Sequence, residues 1–324
     1  MTGVPVPALV ERVERTLLGG ARVYTRAEVA EATGLPPDET RELWRALGFA
    51  TVADDERAFT DGDIAALRQM REVTEALSLD GELVRAMTRM LGRSFSRLAS
   101  WQGQLVVEQV ADAPELVDSP DDVAAFLDRT LQAMQDLQTY VWRRQLAAYL
   151  SRVTATRAAG AEVTMAVGFA DMAQFTAFTR RSSEAELREV LDTFEAVTTD
   201  VVAANRGQIV KTIGDEVLFV ADDARAGAEI GLGLLDAAAA GTVLPELRVG
   251  LAHGPVISRL GDVFGQTVNI ASRLTSLARP DSVLVDEGMQ QALADDAAYS
   301  MRALRPASVR GYHHLRSWRL RRAE

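Results

Sequence analysis

Two aspartates in this chain stand where apolar, strand-like runs end. Asp171 follows "MAVGFA" at 165–170, and Asp215 sits inside "IVKTIGDEVLF" at 209–219. If the two strands are neighbours, their carboxylates converge at one edge of a sheet. There they can hold two divalent cations that clamp the attacking and leaving oxygens of a phosphoryl transfer. Mg²⁺ binds through one or two carboxylates together with substrate phosphates and retained waters, so two aspartates are sufficient protein ligands. Taken singly, each also fits a plainer role, because aspartate favours helix N-caps and turns. Lys211, four residues before Asp215, is the only lysine in a chain whose other cationic side chains are arginines, histidines aside. Downstream, in "GDVFGQTVNIASRL" at 261–274, Asn269 and Arg273 are four residues apart and share one face of a helix. Arg273 can supply fixed charge to a phosphorane-like transition state, and Asn269 can orient a sugar. The plainer alternative is a surface helix with an ordinary polar face. Asp262 reads as a loop acid.

These residues need elements to hold them. From about 162 onward, strand and helix patterns interleave. "VTMAVGFA" is strand-like, and "SSEAELREVLDTFEAVTTDVVAANRG" is a helix opened by a Ser183/Glu186 capping box and stopped near Gly207. "GQIVKTI" and "EVLFVA" flank a Gly214-Asp215 turn as a hairpin. Helices are expected at 224–240, near 266–278 and from Glu287, strands at 247–253, 256–259 and 282–285, and a closing hairpin in "SVRGYHHLRSWRLRR". This grammar predicts an α+β domain over 162–324 with helices over a mixed sheet. Residues 1–150 read instead as an all-helical region, with apolar residues at three- and four-residue spacing over 28–33, 39–47, 63–77, 81–110 and 121–150. Leu131, Met134, Leu137, Val141, Leu146 and Leu150 form a stripe on the last of these, suited to packing on another domain. Periodicity fades over 151–161, which reads as a linker.

The chain has 324 residues, a hydrophobic fraction of 48% and a net charge of −11. That charge argues against nonspecific attraction to nucleic acid or an anionic membrane. The absence of cysteine excludes disulfides and thiolate metal sites and suits a reducing cytosol. No run of about eighteen apolar residues marks a membrane span, and the N-terminus lacks the basic start and apolar block of a signal peptide. A cytoplasmic protein is the expectation.

Three segments, "VGFADMAQFT", "IVKTIGDEVLF" and "GDVFGQTVNIASRL", resemble in order and spacing the catalytic domain of class III nucleotidyl cyclases. The resemblance covers about 163–320 and implies a ferredoxin-like, palm-type domain. By position, it implies that Asp171 and Asp215 bind two Mg²⁺ or Mn²⁺ ions, with the Met172 backbone carbonyl joining one of them. It implies that Lys211 and Asp262 read adenine, and that Asn269 and Arg273 serve the transition state. Arg316 in "VRGYHHLR" takes the place of a phosphate-holding lysine, with Arg310 as the alternative, and the backbone N–H groups of Phe175 and Thr176 share that task. A lysine donor with an aspartate acceptor suits adenine, whereas guanine leaves buried groups unpaired at about 1–3 kcal/mol each. The implied reaction is ATP to 3′,5′-cyclic AMP and pyrophosphate. In this family the metal aspartates and the adenine and transition-state residues of one site come from two domains, so one such domain per chain implies a homodimer.

The N-terminal region carries a second resemblance. "YTRAEVAEATGLPPDETRELWRALGF" with "RAFTDGDIAAL" is similar to the opening of a MerR-type helix-turn-helix, over about 22–71. That segment holds seven arginines against ten acids, the wrong sign for a phosphate-contacting surface, so DNA is not the expected partner. The whole helical region resembles the regulatory domains of actinobacterial cyclases, implying control of the catalytic dimer through the 121–150 helix and the 151–161 linker, with a small molecule or pH as the candidate signals. His253, at a strand end before Gly254-Pro255, reads as packed or turn-forming. His313 and His314 are too few for a convincing metal site but are the side chains expected to lend any pH sensitivity. The rival readings are a DNA-binding regulator with a nucleotide-sensing, catalytically weak cyclase-like domain, and a catalytically dead scaffold. A diguanylate cyclase is disfavoured because its Gly-Gly-Asp/Glu-Glu-Phe signature is absent.

Overall fold

The computed structural model describes residues 14–111, 120–158, 164–241 and 243–323. The chain divides into two compact units, Met1–Ser151 and Arg152–Glu324.

In the first unit, α1 (Arg26–Thr33) and α2 (Pro37–Ala46) are joined through Gly34, whose φ of 70° is the left-handed conformation glycine adopts at low cost. Thr25 and Glu28 close a capping box on α1; Thr60 and Asp63 close one on α3 (Asp61–Ala76). Val29, Leu43, Phe59, Ile64 and Leu67 bury together as the core of this module. The long helices α4 (Gly81–Ala111) and α5 (Pro120–Ala158) follow. Over 22–71, the stretch similar to a helix-turn-helix, the structure has α1, the Gly34 turn, α2 and α3. Asp38, Glu39 and Glu42 are the exposed acids of α2, beside one exposed cation, Arg45. A β-carbon on Gly92 of α4 would collide with the Leu47 backbone at the end of α2, so α4 is packed close against it. The DNA-regulator alternative finds no support here. Helix α5 runs through Ala158, into the segment read as a linker, because "RVTATRAA" contains no proline or glycine to stop it. Of its apolar stripe, Leu137, Val141, Leu146 and Leu150 are exposed in the single chain. Among the described residues no helix is long and apolar enough to cross a membrane.

The second unit is an α+β sandwich around a seven-stranded sheet ordered β2-β3-β1-β4-β7-β11-β8. The strands are β1 (Thr164–Met172), β2 (Gln208–Ile213), β3 (Glu216–Ala221), β4 (Leu247–Pro255), β7 (Ser282–Val285), β8 (Tyr299–Ala303) and β11 (Trp318–Arg322). All pairings are antiparallel except β4 with β7. On one face, Ala170, Met172, Val217, Phe219, Val249 and Leu251 pack against α7 (Glu184–Ala204), α8 (Ala224–Ala240) and α10 (Glu287–Ala292). On the other, Val167, Phe169, Leu218, Val220 and Ala252 pack against α9 (Gln266–Leu277). Alternation of side chains along each strand assigns Val217 to one face and Leu218 to the other.

Three features differ from the sequence expectation. Asp262 lies not in a loop but at the start of β6 (Asp262–Phe264), paired with β5 (Ile257–Arg259). The closing segment forms β9 (Ala307–Val309) and β10 (Tyr312–Leu315) as a separate hairpin, while β11 enters the main sheet. β8 at the sheet edge, and the five-residue α6 (Phe175–Thr179), were not foreseen. Short or edge elements of this kind carry little periodicity.

Candidate active site

Asp171 and Asp215 arrive at one edge of the sheet because β1 and β3 are neighbours. Asp171 stands opposite Glu216, and the Met172 N–H donates to the Asp215 carbonyl at 3.1 Å. Asp171 is 8% exposed. Burial raises its pKa above the ordinary carboxylate value; Arg248 works against that shift, and the charge and hydrogen-bonding reach of Asp215 work with it. Glu216 is pushed up to about 6 by burial, with Asp171 and Asp215 adding like charge. Two carboxylates held this close repel, and a divalent cation relieves the repulsion. Among the described residues no cluster of three His, Asp or Glu side chains is assembled for a metal. Two carboxylates at one sheet edge fit a divalent cation whose remaining positions go to substrate phosphates and water.

Arg248 is a residue the sequence reading missed. On β4 it lies directly across from Asp171, and its Nε donates to Asp171 Oδ2 at 2.7 Å. Its Nη2 contacts the same oxygen. A signal existed: Arg248 interrupts the apolar "LRVGLA" that must be strand, and a cation there invites the question of its partner.

Lys211 owes its direction to an irregularity. Ile209 pairs with Phe219 and Lys211 with Leu218, so β2 carries a bulge between them. Strict alternation would place Lys211 on the face of Ile209, which packs into the α7/α8 core. The extra residue turns it to the other face, where its Nζ meets Asp262 Oδ2 at 2.5 Å. The second oxygen of Asp262 accepts the Val263 N–H at 2.9 Å. Together they present an ammonium donor and a carboxylate acceptor side by side, both partly exposed.

Helix α9 carries Asn269 and Arg273. Thr267, Ala271, Leu274 and Thr275 are buried toward the sheet, leaving Asn269 exposed and Arg273 partly so on the outer side. Thr267 Oγ1 donates to the Pro255 carbonyl at 2.7 Å and Thr275 Oγ1 to the Phe169 carbonyl at 3.3 Å, so α9 runs antiparallel to β4. Its Asn269 end therefore lies toward Pro255, roughly 20 Å along the strand from Arg248 at about 3.3 Å per residue. Arg273 Nε is buried and without a hydrogen-bond partner. A buried donor left unsatisfied costs about 1–3 kcal/mol, and an arriving acceptor removes that cost.

Arg316 is placed at the opposite end of the sheet from Asp171. Ser282, the first residue of β7, is in register with Arg248, whereas Glu287 lies beyond the far end of that strand. Arg316 donates to Glu287 at 2.8 Å and stacks 5.3 Å over the Trp318 ring. Arg310 is exposed in the β9–β10 turn beside Gly311. Phe175 and Thr176 open α6, four and five residues past Asp171. A single chain thus brings together Asp171, Asp215, Met172 and Arg248, and separately Lys211 with Asp262. It does not bring Asn269 or Arg316 to the aspartates.

Residues 158–322 match the adenylate and guanylate cyclase catalytic domain. A Streptomyces coelicolor protein named adenylate cyclase is 42% identical over 88% of this chain and 75% of its own length. One from Glutamicibacter nicotianae with the same name is 34% identical over 97% of this chain and 83% of its own. A solved rhodopsin-guanylyl cyclase core is 22% identical over 50% of this chain and 97% of that one, with a TM-score of 0.46. With paired aspartates on adjacent strands and a match that spans half of its length, this chain belongs to the class III nucleotidyl cyclases, the family of the adenylate and guanylate cyclase catalytic domain.

Proposed function

We propose that the chain is an adenylate cyclase, converting ATP to 3′,5′-cyclic AMP and pyrophosphate. The observation that carries this reading is the Lys211–Asp262 pair at 2.5 Å. Adenine offers an acceptor at N1 and an amino donor at N6, and the pair offers the complementary donor and acceptor. Guanine reverses both groups and leaves each buried partner unmatched. The relatives from Streptomyces coelicolor and Glutamicibacter nicotianae, both named adenylate cyclase, support the same substrate.

The residues divide the work. Asp171, Asp215 and the Met172 carbonyl would hold two Mg²⁺ or Mn²⁺ ions. When bound, these lower the pKa of the ribose 3′-hydroxyl and neutralise charge on the polyphosphate. Lys211 and Asp262 fix the base, which sets where the ribose sits. Asn269 orients the sugar. Arg273 directs fixed positive charge at the α-phosphoryl group as charge builds on its oxygens, with pyrophosphate leaving in line. Arg316 and the N–H groups of Phe175 and Thr176 hold the terminal phosphates.

The separation of Asn269 from Asp171 within one chain supports a homodimer in which each site draws on both copies. The exposed α5 residues Leu137, Val141, Leu146 and Leu150 support the same arrangement, since a second copy can cover them. The N-terminal unit is the regulatory part of this proposal, responding to a small molecule or to pH, and an ATP-consuming domain belongs in the cytoplasm. The test is an assay of purified protein with ATP or GTP, with and without Mn²⁺. Cyclic AMP should form from ATP only with metal, and not at all in Asp171→Ala; undiminished turnover in that variant would sink the mechanism. Residues 155–324 alone should differ from the full chain in specific activity, and equal activity removes the regulatory reading.

A further inference from the structure

Arg248 has no role in the scheme above, yet it makes the closest polar contact to Asp171. Both its Nε, at 2.7 Å, and its Nη2 address Oδ2 of that carboxylate. Oδ1 receives neither. The contact is built into the sheet, because Asp171 and Arg248 are in register on adjacent antiparallel strands and point to the same face. The Arg248 side chain is two-thirds covered and the Asp171 side chain nearly nine-tenths covered, so the pair is shielded from water on the aspartate side. A carboxylate that sits this deep beside a second one, Asp215, would otherwise be free to turn about its Cβ–Cγ bond and offer either oxygen.

We propose that Arg248 is a positioning residue of the metal site: by fixing Oδ2 it leaves Oδ1 as the oxygen Asp171 offers to a cation. The inference rests on the reading of Asp171 as a metal ligand. Groups that orient a metal-binding side chain contribute to affinity without touching the ion, and losing one costs about 10–100-fold in binding. The opposite physical effect is also definite. If the guanidinium stood in the cation's place and had to be expelled, its removal would tighten binding.

The test is Mn²⁺ binding to the full-length chain in the absence of nucleotide, followed by calorimetry or by the free-Mn²⁺ paramagnetic resonance signal. Leaving out nucleotide keeps any direct encounter of Arg248 with phosphate out of the measurement. Three variants are compared with the unaltered protein, each checked for a cooperative thermal transition. Asp171→Asn should abolish binding; if it binds Mn²⁺ normally, the metal-site reading itself fails. Given that loss, Arg248→Met should weaken Mn²⁺ about 10–100-fold. Arg248→Lys should fall between, since an ammonium keeps the charge but not the two-pronged hold. Unchanged or tighter binding in Arg248→Met overturns the positioning role alone. If Arg248→Met does not fold, Arg248→Lys decides: weaker binding supports the role and unchanged binding overturns it.

Discussion

Lys211 and Asp262 are 51 positions apart in the chain and meet at 2.5 Å. Their meeting depends on the β2 bulge that turns Lys211 toward β6. An arginine there would present a broad planar fork to a single base nitrogen, which is a physical reason for a lone lysine in an arginine-rich chain. Exchanging the pair's polarity should exchange its preference. The double variant Lys211→Glu with Asp262→Cys is expected to lower kcat/KM for ATP relative to GTP by roughly 10–100-fold, from two mismatched hydrogen bonds. Competition assays with both nucleotides measure it; an unchanged ratio means the base is read elsewhere.

Gly250 fixes the seat of α9. A β-carbon at that position would strike the Thr275 amide nitrogen and the Ala271 carbonyl, both helix backbone that cannot swing aside. Gly250→Ala should therefore push α9, and with it Asn269 and Arg273, off the sheet. We expect about 1–3 kcal/mol of lost stability together with a fall in kcat larger than the change in KM for ATP. A variant with native melting temperature and native kcat would show that the contact relaxes without moving the helix.

Much of this site was legible in the sequence, and the reasons differ residue by residue. Asp171 and Asp215 ended recognisable apolar runs, and adjacency of β1 and β3 did the rest. The Asn269/Arg273 spacing was helical, and both residues stand on α9. Lys211 was legible as an oddity of composition but not as a direction, since period-two alternation points it into the core and only the bulge reverses that. Asp262 looked like a loop acid because a three-residue strand has too few positions to show alternation. Arg248 was missed because its partner is 77 positions away and register between strands leaves no local trace. Arg316 was placed by resemblance alone, and in a single chain it is occupied with Glu287 and Trp318.

Glu229 on α8 ties the sheet's far strands to the helical layer. It accepts the Tyr299 hydroxyl at 2.6 Å and an Arg322 Nη2 proton at 2.9 Å. Burial pulls its pKa upward, but the two hydrogen bonds and the Arg322 and Arg225 charges outweigh burial and leave it below the usual 4.5. A depressed folded-state pKa means that the unfolded chain binds the proton more readily. The stabilisation is then present above about pH 4.5 and lost as pH falls through the folded-state value. Glu229→Gln should melt at a lower temperature than the unaltered protein at pH 7, and the gap should close as pH drops below about 4.5. Parallel melting curves across that range would show that the carboxylate's charge contributes nothing.

The separation of Asn269 from the aspartates leads to a test of shared sites. Asp171→Ala and Asn269→Ala should each be inactive alone. In a mixed dimer, one site inherits both defects while the other takes intact aspartates from one copy and an intact Asn269 from its partner. Equal mixing under exchange makes half of the dimers mixed, each with one of two sites restored, so activity should recover to about a quarter of the unaltered level. Recovery should rise with total protein concentration up to that level, since pairing is second order in chain. If the mixture stays as inactive as its components while size analysis shows mixed dimers, each chain must complete its own site. The roughly 20 Å between the Pro255 end of β4 and Arg248, at strand spacing, would then have to be closed by a movement of α9 within one chain.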